Sequence, residues 1–418
     1  MSWSIEACAL PDELLTQILA EANVITARAA RCVCKRWCDA AGGLDLSLCL
    51  VTASGSNEII LLDAQGRIVQ RVKAMPPTKR QRRGTSRTYV GHSSWRAMKT
   101  HQWPTCMASG PNGELLVSQY RVQGLLQFAR CSTGYVYQRT LVSHPRFASP
   151  EGVVWHGDSI YLCAVDRGTI SRISAGDGRV LEETVPYEQI GEFYVLWGMC
   201  LGPDGRSLYI AAHVSEEGGD YEQPTHRNTG CLLLQRLTPG GAFDGPTRHF
   251  AGYPFPGVHY NRPSDPTFCS HGCVHISTFE RPGSSRRVVL KIISEASNGL
   301  EPGDCVGFLQ VEPTCDALLH NPWGLSFGTS DAERDVLVAS CHTPCVDEAH
   351  GTAASVVRVD SCGCACGSLL QPPPASTTSS SPPLSTVCGR RLQPRACGRA
   401  VALVGSLQQA NYVMHLTR

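Results

Sequence analysis

No stretch of the sequence approaches the ~20 consecutive apolar residues of a membrane-spanning helix, so no membrane partner is expected. An excess of one charge is also missing. Lys and Arg number 37 against 36 Asp and Glu, a net charge of +1, which argues against a polyanion-binding surface and a nucleic-acid partner. Charged residues make up only 17% of the chain, below the usual ~25%. The segment MSWSIEACALPDELL has neither the basic nor the apolar region of a secretory signal, which predicts a cytoplasmic or nuclear protein. In such a compartment the 21 cysteines read as reduced thiols serving as small apolar side chains. Their odd number fits no fully paired disulfide framework.

Enzymatic signatures are absent as well. There is no Walker loop, no dinucleotide fingerprint and no G-x-S-x-G elbow. No catalytic residue and no cofactor are assigned. Three cysteine groups invite a zinc reading: Cys269, Cys273 and His275; Cys341, Cys345 and His342; and Cys362, Cys364 and Cys366. None has the paired C-x2-C spacing of a structural zinc site, so no metal is assigned.

What is present divides by composition into four regions. Residues 8–43 carry a helical pattern. Pro11-Asp12 is a helix start, and Leu14, Leu15, Ile18 and Leu19 fall on one face. Thr26 can cap a second helix that holds Val33 and Trp37 and stops at Gly42-Gly43. Residues 46–360 are strand-rich, with the many turns that 40 Gly and 27 Pro supply. Residues 367–386 are low-complexity and are expected to be a mobile loop. Residues 399–418 return to strand character.

The strand-rich region repeats. Units begin near Pro104, Pro150, Leu196 and Pro322, with 46 residues from the first to the second and 46 more to the third. Each reads as an aliphatic strand, a Gly/Asp turn, an apolar strand and a third strand. A weaker copy is placed at Pro266, and residues 215–229 and 253–265 are expected to be inserted loops. Residues 46–72 supply three more strands, at 48–51, 59–62 and 68–70. A fourth is expected from NYVMHLTR or AVALVGSL, closing a ring and removing an exposed edge. A period of 40–50 residues with several strands per unit is propeller-like. The expected fold is mainly β: a propeller of about six blades over 45–418, preceded by a small α-helical domain over 1–44.

Aligning the units places Thr105, Glu151, Trp197 and Trp323 at one position, before the first strand of each. They are candidates for lining one channel mouth and binding a target, or for plugging the channel as core. Lys79-Arg80-Gln81-Arg82-Arg83 reads as a nuclear localisation signal or as a solvated loop.

Two resemblances follow from these residues. Leu10-Pro11-Asp12-Glu13-Leu14-Leu15, Ile18-Leu19 and Val33-Cys34-Lys35-Arg36-Trp37 resemble an F-box. The resemblance implies docking on a Skp-type adaptor of a cullin-RING ubiquitin ligase. Leu10, Pro11, Leu14, Leu15, Ile18, Val33, Lys35 and Trp37 would form or support the adaptor-binding face. The repeat resembles NHL-type six-bladed propellers. Together they imply a non-catalytic substrate receptor of an SCF-type ligase, with the adaptor, a cullin and an unidentified target protein as partners. Two alternatives stay open. One is a propeller scaffold without a ligase role. The other is a metal-dependent hydrolase, because Pro150-Glu151-Gly152 is similar to the metal-binding segment of regucalcin and gluconolactonase propellers; Asn321 stands near a second motif position there.

Overall fold

The structure, a computed structural model, describes Ile18 and residues 48–53, 57–63, 68–76, 104–119, 122–131, 134–147, 149–186, 192–216, 230–252, 263–269, 272–279, 287–292, 294–295, 301–303, 305–308, 322–329, 335–342, 353–360, 399–408 and 410–416. These residues form six four-stranded antiparallel sheets. The first contains β1 (Leu48–Ala53), β2 (Glu58–Asp63) and β3 (Ile68–Lys73). The second is β4 (Pro104–Ser109), β5 (Leu115–Gln119), β6 (Gly124–Cys131) and β7 (Gly134–Ser143). The third is β8 (Pro150–His156), β9 (Ser159–Ala164), β10 (Thr169–Ser174) and β11 (Val180–Thr184). The fourth is β12 (Glu192–Leu201), β13 (Ser207–Glu216), β14 (Gly230–Arg236) and β15 (Arg248–Gly252). The fifth is β16 (Pro266–Phe268), β17 (Val274–Phe279), β18 (Arg287–Ile292) and β19 (Cys305–Phe308). The sixth is β20 (Pro322–Thr329), β21 (Asp335–His342), β22 (Ala353–Asp360) and β23 (Arg399–Gln408). The last strand, β24 (Ala410–Leu416), returns to pair with β1.

Hairpin chemistry sets these connections. Gly113, Gly157 and Gly205 hold left-handed backbone, with φ of 80°, 55° and 63°, in the turns that join β4 to β5, β8 to β9 and β12 to β13. A side chain at φ > 0 is disfavoured, so glycine is selected there.

The sheets follow one another in a propeller arrangement. β4 packs on β8, β8 on β12, β12 on β16, β16 on β20, β20 on β24 and β24 on β4. Both faces of each sheet are therefore covered. This explains why β5 is apolar at successive positions: neighbouring residues of a strand point to opposite faces. Leu115 and Val117 join Leu50, Ile59 and Leu61 in the seam between the first and second sheets. Leu116 points the other way and meets Val153, Ile160 and Leu162 of the third. Tyr161 and Cys163 pack with Leu196, Leu208 and Ile210 between the third and fourth. Tyr209 and Ala211 pack with Val274 and Ile276 between the fourth and fifth. The core is thus a series of inter-sheet seams.

The first-sheet strands expected at 48–51, 59–62 and 68–70 lie within β1, β2 and β3. Of the two C-terminal candidates, Asn411–Leu416 completes the first sheet, with Val413 opposite Val51, and Ala400–Leu407 belongs to the sixth. The weak repeat placed at Pro266 coincides with the start of β16, and its register extends the unit further back. Pro263, Ser264 and Asp265, read as part of an inserted loop, already take part in the inner-strand pairing: Ser264 N–H donates to Ser277 O at 2.9 Å. The equivalent unit therefore starts at Pro263. Asp265 in place of glycine hides it. The helical region 8–43, apart from Ile18, the basic run at 79–83 and the low-complexity segment 367–386 lie outside the described residues.

Candidate functional site

Four inner strands carry the same irregularity. Their pairing breaks between Pro104 and Met107, Pro150 and Val153, Leu196 and Met199, and Pro322 and Leu325. Each break is a β-bulge, a local insertion that re-aims side chains. Thr105, Glu151, Trp197 and Trp323 are the first bulged residue in each case. In the fifth sheet Pro266 pairs with Ile276, so Ser264 and Asp265 occupy the corresponding two positions. The second position is Gly152, Gly198 and Gly324 in the neighbouring sheets.

Those glycines let the bulges abut. A Cβ on Gly152 would lie 2.6 Å from Trp197 O, and one on Gly198 would lie 2.5 Å from Ser264 O. Gly198 N–H donates to Ser264 O at 2.7 Å. Glu151, Trp197 and Asp265 therefore stand on a continuous arc of touching backbone.

The first-position side chains do different work. Thr105 is buried and serves the seam between the second and third sheets. Its hydroxyl donates to Pro150 O at 2.6 Å, and Ser118 Oγ lies 2.7 Å from it. Ser118 Oγ is 3.0 Å from Glu151 O and accepts the Cys106 N–H at 2.8 Å. Ser264 and Ser277 form the equivalent hydroxyl pair in the fifth sheet. Thr52 repeats the stitch, donating to Thr105 O at 3.3 Å. Removing a buried partner leaves polar groups unsatisfied. Ser118→Ala is therefore expected to lower folding stability by about 2 kcal/mol in urea unfolding, with Ser118→Thr retaining part of it.

Trp197 is half-buried. Its indole N–H donates to His213 Nδ1 at 2.9 Å, and the rings stack at 5.8 Å between centroids. The neutral His213 proton therefore sits on Nε2. The side chain of Trp323 lies outside the described residues. Glu151 is half-buried, and its negative charge acts on two buried groups, Cys163 and Asp265. Burial first, and then Glu151, pushes the Cys163 thiol up.

Asp265 is the group that sequence reasoning missed. It is 2% exposed. Its Oδ2 accepts the Leu325 N–H at 2.7 Å, which links the fifth sheet to the sixth. Among the described residues its Oδ1 has no hydrogen-bond partner, and a Cβ on Gly198 would lie 2.6 Å from it. Burial holds the carboxyl well above the usual carboxylate range; the Leu325 N–H opposes this rise, and the charge of Glu151 adds to it. A buried polar atom left unpaired costs about 1–3 kcal/mol, so Asp265 is a destabilising feature of this seam.

Residues 7–48 match the F-box-like family model. The matched segment contains the eight candidate adaptor-binding residues. Ile18 is helical and 43% exposed. Leu10, Pro11, Leu14, Leu15, Val33, Lys35 and Trp37 lie outside the described residues. An F-box-like segment points to binding of a Skp-type adaptor.

Among solved structures, the chain is similar to hydrazine synthase of Kuenenia stuttgartiensis, at 14% identity and a TM-score of 0.39, over 62% of this chain and 62% of that one. A protein of unknown function from Bacteroides caccae matches at 12% identity and a TM-score of 0.42, over 89% of this chain and 99% of that one. A 6-phosphogluconolactonase-like protein from Bacteroides uniformis matches at 12% identity and a TM-score of 0.41, over 75% and 79%. Likenesses at this level carry nothing about activity. No curated protein matches the chain.

Cys269, Cys273 and His275 are buried. Among the described residues no three His, Cys, Asp or Glu side chains are grouped to hold a metal ion. Asn321, Cys345 and Cys362, Cys364 and Cys366 lie outside the described residues.

Proposed function

We propose that the chain is a non-catalytic substrate receptor of an SCF-type cullin-RING ubiquitin ligase. The F-box-like segment docks the Skp-type adaptor and through it the cullin. The β domain, which we read as one closed NHL-like ring of six blades, binds the protein to be ubiquitinated. The reading is carried by one observation: a family match at residues 7–48 runs up to the first residue of β1, where a large β domain of six packed sheets begins. A short helical handle beside a stiff ring separates two tasks, since strands supply rigidity and the bulges and rim loops supply recognition. The protein works in the cytoplasm or nucleus.

A pull-down of the full chain with the Skp-type adaptor and cullin tests this. The wild-type chain is expected to capture both, and Leu14→Asp/Leu15→Asp to lose them while its urea-unfolding midpoint stays the same. A folded wild-type chain that captures neither removes the ligase role and leaves a propeller scaffold or a metal-dependent hydrolase.

A further inference from the structure

We propose that Glu151, Trp197 and Asp265 form a receptor for a basic side chain of the target polypeptide. This rests on the target-binding reading above and names the chemistry of the ligand. Three observations carry it. The bulges bearing these residues touch: Gly152 lies against Trp197 O, and Gly198 against Ser264 O and Asp265 Oδ1. Asp265 is buried to 2% exposure, with Oδ1 lacking a donor among the described residues. Its position is glycine in the third, fourth and sixth sheets and Cys106 in the second, so Asp265 puts a carboxyl where these four sheets have none.

The missing partner is a donor, and its charge follows from the surroundings. Burial, the Leu325 N–H and Glu151 act on Asp265, and the Cys200 thiol on β12 feels its charge; among the described residues none of these groups is basic. An arriving cation meets partly exposed Glu151 first and then the buried carboxyl. Charge-assisted bonds from a guanidinium or ammonium to carboxylate are about twice as strong as neutral ones. Trp197, oriented by His213, adds an indole for cation–π contact. A bound cation offsets the rise that burial and Glu151 impose on the Asp265 carboxyl and so favours its ionised form. Binding therefore strengthens as pH rises.

The test uses the purified full chain with N-acetyl-arginine amide, its neutral isostere N-acetyl-citrulline amide, and calcium or magnesium chloride as a separate arm. Binding is followed by calorimetry in two buffers of different ionisation enthalpy and by tryptophan emission. The arginine probe is expected to bind at least tenfold more tightly than the citrulline probe. It should bind more tightly at pH 8 than at pH 5, with proton release. Glu151→Gln, Asp265→Asn and Asp265→Gly should each weaken it tenfold or more; the glycine variant restores the residue of the third, fourth and sixth sheets should asparagine fold poorly. Equal binding of the two probes, no binding of either, or binding unchanged in all three variants overturns the proposal. So does a divalent cation that binds where the arginine probe does not. The two readings fail separately. Adaptor capture without an arginine response sinks this site alone, whereas an arginine response without adaptor capture sinks the ligase reading and leaves a cation-binding propeller.

Discussion

Gly152→Ala is expected to lower folding stability by about 3 kcal/mol, the upper end of the usual cost of overpacking. The added methyl would lie 2.6 Å from Trp197 O, 2.8 Å from Met199 N and 3.0 Å from Gly198 C. All three are backbone atoms of β12, so no flexible side-chain tip can swing away. β12 is itself paired with β13, and a shift large enough to admit the methyl would strain that ladder. Gly198→Ala meets the same obstacle at Ser264 O, 2.5 Å away. Gly176 provides the contrast. Its nearest neighbour is Ser174 Oγ at 3.8 Å, in an exposed turn. Gly176→Ala should be neutral or stabilising by up to about 1 kcal/mol through the unfolded chain. Urea unfolding measures both, as midpoint shifts at unchanged slope. Equal, small losses at Gly152 and Gly176 would show that the seam yields and that the close approach is not structural.

Asp265→Asn is expected to flatten the pH dependence of stability. The folded-state carboxyl titrates well above its ordinary range, chiefly because it is buried. Between the unfolded value near 4 and the folded value, the native state therefore holds a proton that the unfolded state has lost. Stability then falls as pH rises, by up to about 1.4 kcal/mol per unit, and levels off once the folded group ionises. Below about pH 4 the penalty is absent. Asparagine keeps an oxygen for the Leu325 N–H and carries no charge. The wild-type curve should accordingly drop relative to the variant on the alkaline side of pH 4. Parallel curves from pH 4 to 8 would mean that Asp265 ionises freely in the folded protein, against its burial and its single donor.

Much of the fold could be read from pattern. Pro150-Glu151-Gly152, Leu196-Trp197-Gly198 and Pro322-Trp323-Gly324 share glycine as their third residue; at Gly152 and Gly198 successive bulges touch, and that steric demand is visible as a repeated glycine. Period-2 alternation was hidden in β5, where Leu115, Leu116 and Val117 are all buried, but an apolar run between turns still reads as a strand covered on both faces. The bulge that opens the fifth sheet lies just before the expected start at Pro266, for a physical reason. Asp265 substitutes a carboxyl for the glycine, and β16 has only three residues, so neither motif nor periodicity marks it. The same substitution makes the arc chemically distinctive, which is why the most informative residue was the least visible. Thr105 illustrates the converse. Alignment placed it with Glu151 and Trp197, yet its hydroxyl is committed to Pro150 and Ser118. No sequence pattern separates a stitching hydroxyl from a recognising one.

The pairing of β1 with β24 also sets a timetable for the newborn chain. Val51 waits for Val413, some 360 residues later. At about 5–20 residues per second, a ribosome needs roughly 20–70 s to supply it. Throughout that interval one edge of β1 has no neighbour, while the segment at 7–48 has already emerged. An unpaired edge recruits other strands. If the Skp-type adaptor proposed above engages that segment early, assembly during translation would overlap the interval before β24 pairs with β1.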